Sequence, residues 1–233
     1  VDIGKDFPWI AEMPSRKEGF EYSAANWARD YVFFLDHSPA EVYPDETIVS
    51  EFHWQLDEAR KFVYPEEVTE LGFELRQLGA GGTSLAHTCP DLSIGLAKGW
   101  TGLLADVEAS RDKWARYGNR KRTEYLEALA EVTKAIIRYT GRHADRALEL
   151  AAAEEDQEQK ARYERIAANM RQIEKGAPET FEQAVQWIQL FQVVERINGH
   201  GNGYGRLDLL LIDFYRRDLG AGRITREEAR DLL

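Results

Sequence analysis

The sequence predicts a mainly helical protein with a few short strands, and three observations carry the helical part of that expectation. Apolar residues recur every three or four positions over long stretches, the spacing of one buried helical face. Two Thr-x-x-Gln/Glu boxes, Thr180 with Gln183 and Thr225 with Glu228, mark helix starts. At 233 residues, 43% apolar and 11% aromatic, the chain is long enough and apolar enough for one substantial core.

From Val1 to Pro44 the chain is rich in aromatics and turn residues. A helix is expected from about Ala24 to Leu35, and Trp9, Trp27, Tyr31, Phe33 and Phe34 read as core or interface packing. Tyr43-Pro44-Asp45-Glu46 is a turn signal, after which Ile48–Arg60 reads as an amphipathic helix or a short strand plus helix. Its Glu51, His53 and Asp57 match no metal-ligand spacing and are read as a surface face. Between Leu78 and Gly102, Gly79, Gly81 and Gly82 precede a small-residue, partly β-like segment and then His87-Thr88-Cys89-Pro90-Asp91. On residue types alone, His87 with Asp91 four positions on reads as a structural histidine. One Cys and one His leave most of a zinc shell unfilled, and nothing beside them suggests a Cys–His hydrolase.

Long helices organise the middle. From about Arg120 to Tyr139, Leu126, Leu129, Val132, Ile136 and Tyr139 form one stripe. Gly141 is expected to end or kink that helix before it resumes over His143–Ala153. A charged, solvated EEDQEQK run follows, then a helix marked by Tyr163, Ile166, Met170 and Ile173. These helices are expected to form an outer scaffold. Behind Thr180, Phe181, Ala184, Val185, Ile188, Phe191 and Val194 mark another buried face, which breaks at Asn198. Gly199, Gly201, Gly203 and Gly205 then alternate with other residues. The run follows a helix in G-x-G-x-G-x-G register and lacks Gly-Lys-Ser/Thr, so it is neither a dinucleotide fingerprint nor a phosphate loop. Spacing alone supports a helix C-cap and an irregular connection, with Arg206 and Asp208 as a surface pair.

The net charge of −11 argues against binding a nucleic-acid backbone. Cys89, the single cysteine, rules out an internal disulfide and suits a reducing cytosol. No apolar run approaches a membrane span, and the expected location is cytoplasmic. The chain opens on Val1, and the helix beginning at Thr225 stops within about two turns. The polypeptide is therefore expected to continue past Leu233.

Fixed spacings over Glu195–Ala229 are more specific. Glu195-x-x-Asn198-Gly199, Gly205-Arg206-Leu207-Asp208, Phe214-Tyr215, then Asp218-Leu219, Gly222, Ile224-Thr225 and Glu227-Glu228-Ala229 are similar to glycyl radical enzymes of the pyruvate formate-lyase type. His87-Thr88, Pro90-Asp91, Gly95-Leu96 and Gly99 resemble the segment that glycyl radical dehydratases place near the substrate. The resemblance implies the N-terminal part of a helix-wrapped β/α barrel, with residues 1–233 as one incomplete domain. It implies thiyl-radical chemistry of the dehydratase or formate acetyltransferase type on a small substrate. The reactive Cys and radical Gly then lie outside this chain, and the glycyl radical is installed by a separate radical S-adenosylmethionine activase.

On this resemblance the chain binds no cofactor or metal itself. Its partners are the small-molecule substrate, the missing C-terminal part and the activase, and the full-length protein is a homo-oligomer. His87 is implied to contact a leaving hydroxyl, Asp91 to lie nearby, and Arg206 with Asp208 to position the substrate. Because His87 is the dehydratase residue at that point, the substrate leans toward an alcohol or diol. The family's hydroxyl residues before G-R-x-D are replaced by Gly201, Asn202 and Gly203. Cys89 precedes rather than follows that segment, so it is taken as a pocket-wall or buried thiol. Gly203-Tyr204 lacks the Arg-Val context of a radical site and is expected to be inert. The alternative is a non-catalytic helical interaction protein or split subunit that retains the scaffold.

Overall fold

The computed structural model of the protein describes residues 7–18, 23–50, 88–199 and 201–233. A short 3₁₀ turn, Pro8–Glu12, leads into α1 (Pro14–Glu18) and α2 (Ala24–His37). Beyond residue 87 come α3 (Leu92–Arg116), α4 (Arg120–Ala153), α5 (Gln157–Lys175), α6 (Phe181–Ile197), α7 (Leu207–Gly220) and α8 (Arg226–Asp231). No strand occurs among the described residues, which corrects the expected few short strands. Val49 shows one physical reason. Its N–H donates to Gln186 Oε1 at 2.8 Å and its C=O accepts from Gln186 Nε2 at 3.0 Å, so a buried side-chain amide does what a neighbouring strand would do. The expected helix over Ile48–Arg60 and the β-like segment after Gly82 lie mostly or wholly outside the described residues.

Helix α4 is the spine: α2, α3 and α5 all pack on it. Arg138 clamps Asp36 on α2 through two bonds of 2.9 and 2.7 Å, and Arg142 donates to Ser38 C=O at 2.8 Å and to Leu35 C=O, covering the end of α2. The predicted break at Gly141 is absent, and α4 runs through it unbroken. The glycine serves packing instead: a Cβ there would lie 2.5 Å from Glu174 Oε1 on α5. Within the charged run, Asp156 caps α5 by accepting from Gln159 N–H.

Helix α3 is the element that the periodicity did not reveal. Asp91 caps it, and Gly99 interrupts its helical backbone at φ +63°. A side chain at Gly99 would strike the Gly176 carbonyl at 2.3 Å, so the glycine allows α3 to lie directly on the link between α5 and α6. Just beyond, Trp100, Trp187 and Phe191 form a ring cluster, with Trp100–Trp187 centroids 4.9 Å apart.

Helix α6 is buried along most of its length and begins with both bonds of the Thr180–Gln183 capping box. Its first N–H, that of Phe181, donates to buried Asp218 Oδ2 at 2.6 Å; Asp218 Oδ1 in turn accepts from Arg223 at 3.0 and 2.6 Å. This joins α6, α7 and the turn before α8. The Thr225–Glu228 box opens α8 as expected.

Candidate functional site

The two stretches that carry the family resemblance, separated by more than a hundred residues in sequence, meet in space. At the end of α6 the chain turns through Gly199 at φ +86° and reaches Gly205 at φ +67° before α7, so two of the alternating glycines supply left-handed backbone. Between them, Gly203 N–H donates to Thr88 C=O at 2.8 Å. Thr88 Oγ1 donates to Asn202 Oδ1 at 2.6 Å, and Asn202 Nδ2 donates to Glu195 Oε2 at 2.9 Å. The Asn202 amide is thus oriented by a donor on one side and a carboxylate on the other. Tyr204 Oη adds a bond to Gln189 Oε1 of α6 at 2.9 Å.

Cys89 leans on the same turn. A Cβ on Gly203 would come within 3.0 Å of Cys89 Sγ, so the thiol occupies the space that a side chain at 203 would need. Of the two readings of Cys89, pocket-wall or buried thiol, burial is not observed: Cys89 is exposed on the loop ahead of α3.

The remaining expected site residues are accounted for as follows. His87 lies outside the described residues. Asp91 accepts from Ser93 N–H at 3.1 Å and from the Ser93 hydroxyl, so its carboxylate caps α3. Arg206 and Asp208 bind each other through two bonds of 2.8 and 2.5 Å at the exposed start of α7. That hydrogen-bonded pairing raises the Arg206 pKa and lowers that of Asp208. Both groups are open to water, as in the surface-pair reading. The link Thr88–Asn202–Glu195 went unseen in the sequence. Thr88 is remote from Asn202 and Glu195 along the chain, so no spacing announces it.

A cavity of about 850 Å³ lies between α2, α3, α4 and α6, with walls that include Trp27, Tyr31, Trp100, Leu129, Val132 and Phe191. Glu195 and Asn198 lie on its border, so the cavity reaches the glycine turn at one corner. The Tyr31 hydroxyl donates to Val194 C=O, and burial, followed by Glu195 and Tyr139, raises its pKa well above the usual phenol value. Asp91, Arg206 and Asp208 are not among its lining residues. The cavity is lined mostly by aromatic and aliphatic residues, whereas the junction joins by hydrogen bonds the two stretches that carry the resemblance. The hydrogen-bonded junction is therefore the better candidate for a functional site.

The chain and its fold match one class of protein. Residues 35–233 match the family model "Pyruvate formate lyase-like", and the chain belongs to that family. It is 33% identical over 153 residues to (2S)-3-sulfopropanediol dehydratase of Klebsiella oxytoca, covering 63% of this chain and 18% of the relative. It is 35% identical over 144 residues to isethionate sulfite-lyase of Oleidesulfovibrio alaskensis, covering 59% of this chain and 17% of that one. Among solved structures, a glycyl radical enzyme from Archaeoglobus fulgidus superposes with a TM-score of 0.78 at 21% identity, over 100% of this chain and 37% of the other. The chain thus spans less than a fifth of the length of these two relatives. The expected barrel is not seen in the described residues, which form helices of a fold shared with these enzymes.

Proposed function

We propose that the chain is the N-terminal scaffold and pocket wall of a glycyl radical lyase acting on a small alcohol or diol, with residues 1–233 as one incomplete domain. The observation that supports this most is the junction at Thr88, Asn202 and Gly203, which draws together the loop at Thr88 and the turn before Arg206. In the full-length enzyme a glycyl radical generated by a separate activase supplies the thiyl that abstracts hydrogen from substrate, and both redox residues lie outside this chain. The chain's own part is to bind and to move a proton. His87 takes or gives a proton at the departing hydroxyl; Asp91 lies nearby as a polar neighbour; Arg206 with Asp208 orients the substrate. Gly201 and Gly203 offer no side-chain hydroxyl, and Asn202 is committed to Thr88 and Glu195, so the turn faces a ligand mainly with backbone. Dehydration fits His87 better than acetyl transfer, and the relatives named as a dehydratase and a sulfite-lyase favour the same side. A cytoplasmic homo-oligomer is the proposed setting.

The test has two parts. The coding frame beyond Leu233 is expected to carry a Cys-x-Glu segment and a C-terminal Arg-Val-x-Gly-Tyr segment. A stop codon directly after Leu233 favours the non-catalytic interaction subunit instead. In the full-length, activated enzyme, His87→Ala is expected to lower kcat by roughly 10²- to 10⁴-fold with folding intact. Normal turnover, or simple unfolding, defeats the proton-transfer role.

A further inference from the structure

We infer that Asn202 is a positioning residue, a side-chain latch that holds the Thr88–Cys89 strip against the glycine turn and so sets the width of the proposed pocket wall. The inference rests on the reading of this junction as substrate-facing. Three contacts converge on it. Thr88 Oγ1 reaches Asn202 Oδ1 at 2.6 Å, Asn202 Nδ2 reaches Glu195 Oε2 at 2.9 Å, and Gly203 N–H reaches Thr88 C=O at 2.8 Å. Glu195 belongs to α6, whose neighbouring residues Val193, Val194 and Ile197 are buried in the core. The carboxylate is therefore carried by a rigid element, and Asn202 transmits that rigidity to a strip that follows His87 directly. The amide cannot be turned over without cost, because its oxygen would then face the Glu195 carboxylate.

The neighbouring glycine explains why the latch is a side chain at 202 and not at 203. A side chain at Gly203 would meet the Cys89 thiol at 3.0 Å, so the turn approaches the strip as closely as a bare backbone permits. Among the described residues, removing the latch leaves the backbone bond from Gly203 N–H to Thr88 C=O between the strip and the turn. Loss of one or two hydrogen bonds, each with a modest net worth, corresponds to a two- to tenfold rise in local opening, on the order of ~1 kcal/mol.

The 233-residue chain contains its own reporters: the Gly203 amide and the single thiol, Cys89. The experiment compares Gly203 amide-exchange protection and the rate of Cys89 reaction with a disulfide reagent in the parent, Asn202→Ala, Thr88→Val, Thr88→Ser and the Asn202→Ala/Thr88→Val double variant. Both are followed at rising urea below the unfolding transition. Asn202→Ala and Thr88→Val are expected to lower protection and speed the thiol reaction, each roughly two- to tenfold, independently of urea. The double variant should go no further than either single change, and Thr88→Ser, which keeps the hydroxyl, should match the parent. Parent-like rates in Thr88→Val, additive effects in the double variant, or rates that follow global unfolding overturn the latch. If Asn202→Ala does not fold, the Thr88→Val and Thr88→Ser pair decides alone. None of these readouts depends on radical chemistry, so failure here removes the positioning role, whereas failure of the His87→Ala test removes the enzymatic reading.

Discussion

Gly95 on α3 lies against the indole of Trp187 on α6, so close that a Cβ at 95 would stand 1.9 Å from Cη2 and 2.4 Å from Cζ2. Trp187 is 1% exposed and is flanked by Trp100 and Phe191. The ring has nowhere to move.

Gly95→Ala is therefore expected to cost about 2–3 kcal/mol, at the upper part of the range for overpacking, despite the better helix propensity of alanine. Gly141→Ala provides the contrast. Its added methyl meets the end of the Glu174 side chain, which can swing away, and the gain in helix propensity offsets the disturbance. It is expected to stay within about 1 kcal/mol of the parent. Urea unfolding of both variants checks the pair; equal losses would show that the Trp187 contact is not rigid.

Asp218 is 2% exposed and holds the Phe181 N–H and the Arg223 guanidinium at once. Asp218→Ala leaves a buried helix-start donor without an acceptor, whereas Arg223 is half exposed and turns to water. The loss should therefore be about 2 kcal/mol, whereas Arg223→Ala leaves the buried carboxylate without its guanidinium and should cost more, about 3 kcal/mol. Urea midpoints of the two variants measure the order; a larger loss in Asp218→Ala would reverse the assignment.

His143 is buried on α4 with Nδ1 2.9 Å from Tyr139 C=O, and burial, partly countered by that bond, lowers its pKa to about 4. The folded value lies below the unfolded one of about 6.5, so below that pH the unfolded chain binds the extra proton. The His143 contribution is full above about pH 6.5 and is lost as the pH falls toward 4, by an amount on the order of 3 kcal/mol. Glu182 acts in the opposite sense. Burial raises its carboxyl, so its contribution weakens as the pH rises above the ordinary glutamate value. The difference in unfolding free energy between the parent and His143→Gln isolates the histidine; it should be level above pH 6.5 and shrink in acid. A difference independent of pH between 4 and 6.5 would refute the assignment.

The first half of helix α7, Leu207–Ile212, is apolar at every position but Asp208, yet of these residues only Leu211 is fully buried, and Leu209 is 63% exposed beside half-buried Leu210 and Ile212. A helix of that composition is built for burial on more than one side. The isolated chain is expected to bind an apolar-surface dye and to self-associate, and Leu209→Glu should reduce both while changing stability by less than about 0.5 kcal/mol. Dilute, monodisperse monomer without dye binding would count against it.

Helix starts and their faces were legible in the chain because capping and periodicity are local: the Thr180 and Thr225 boxes and the Phe181–Val194 stripe depend on residues within a turn or two of one another. The family was legible for the same reason, through fixed spacings from Glu195 to Ala229. Where the sequence misled, the deciding partner was distant. Gly141 looked like a break because its partner, Glu174, sits on another helix, and α3 went unread because Gly95 and Gly99 answer to Trp187 and the Gly176 carbonyl. The expectation of strands had the same weakness at Val49, whose backbone partner is the side chain of Gln186. Cys89, read as a pocket-wall or buried thiol, is exposed beside the glycine turn, which lies on a distant part of the chain. Thr88 and Asn202 show the limit most clearly. A short polar side chain has donors and acceptors to offer from its own position, but which group receives them is settled only when folding brings the two loops within 2.6 Å.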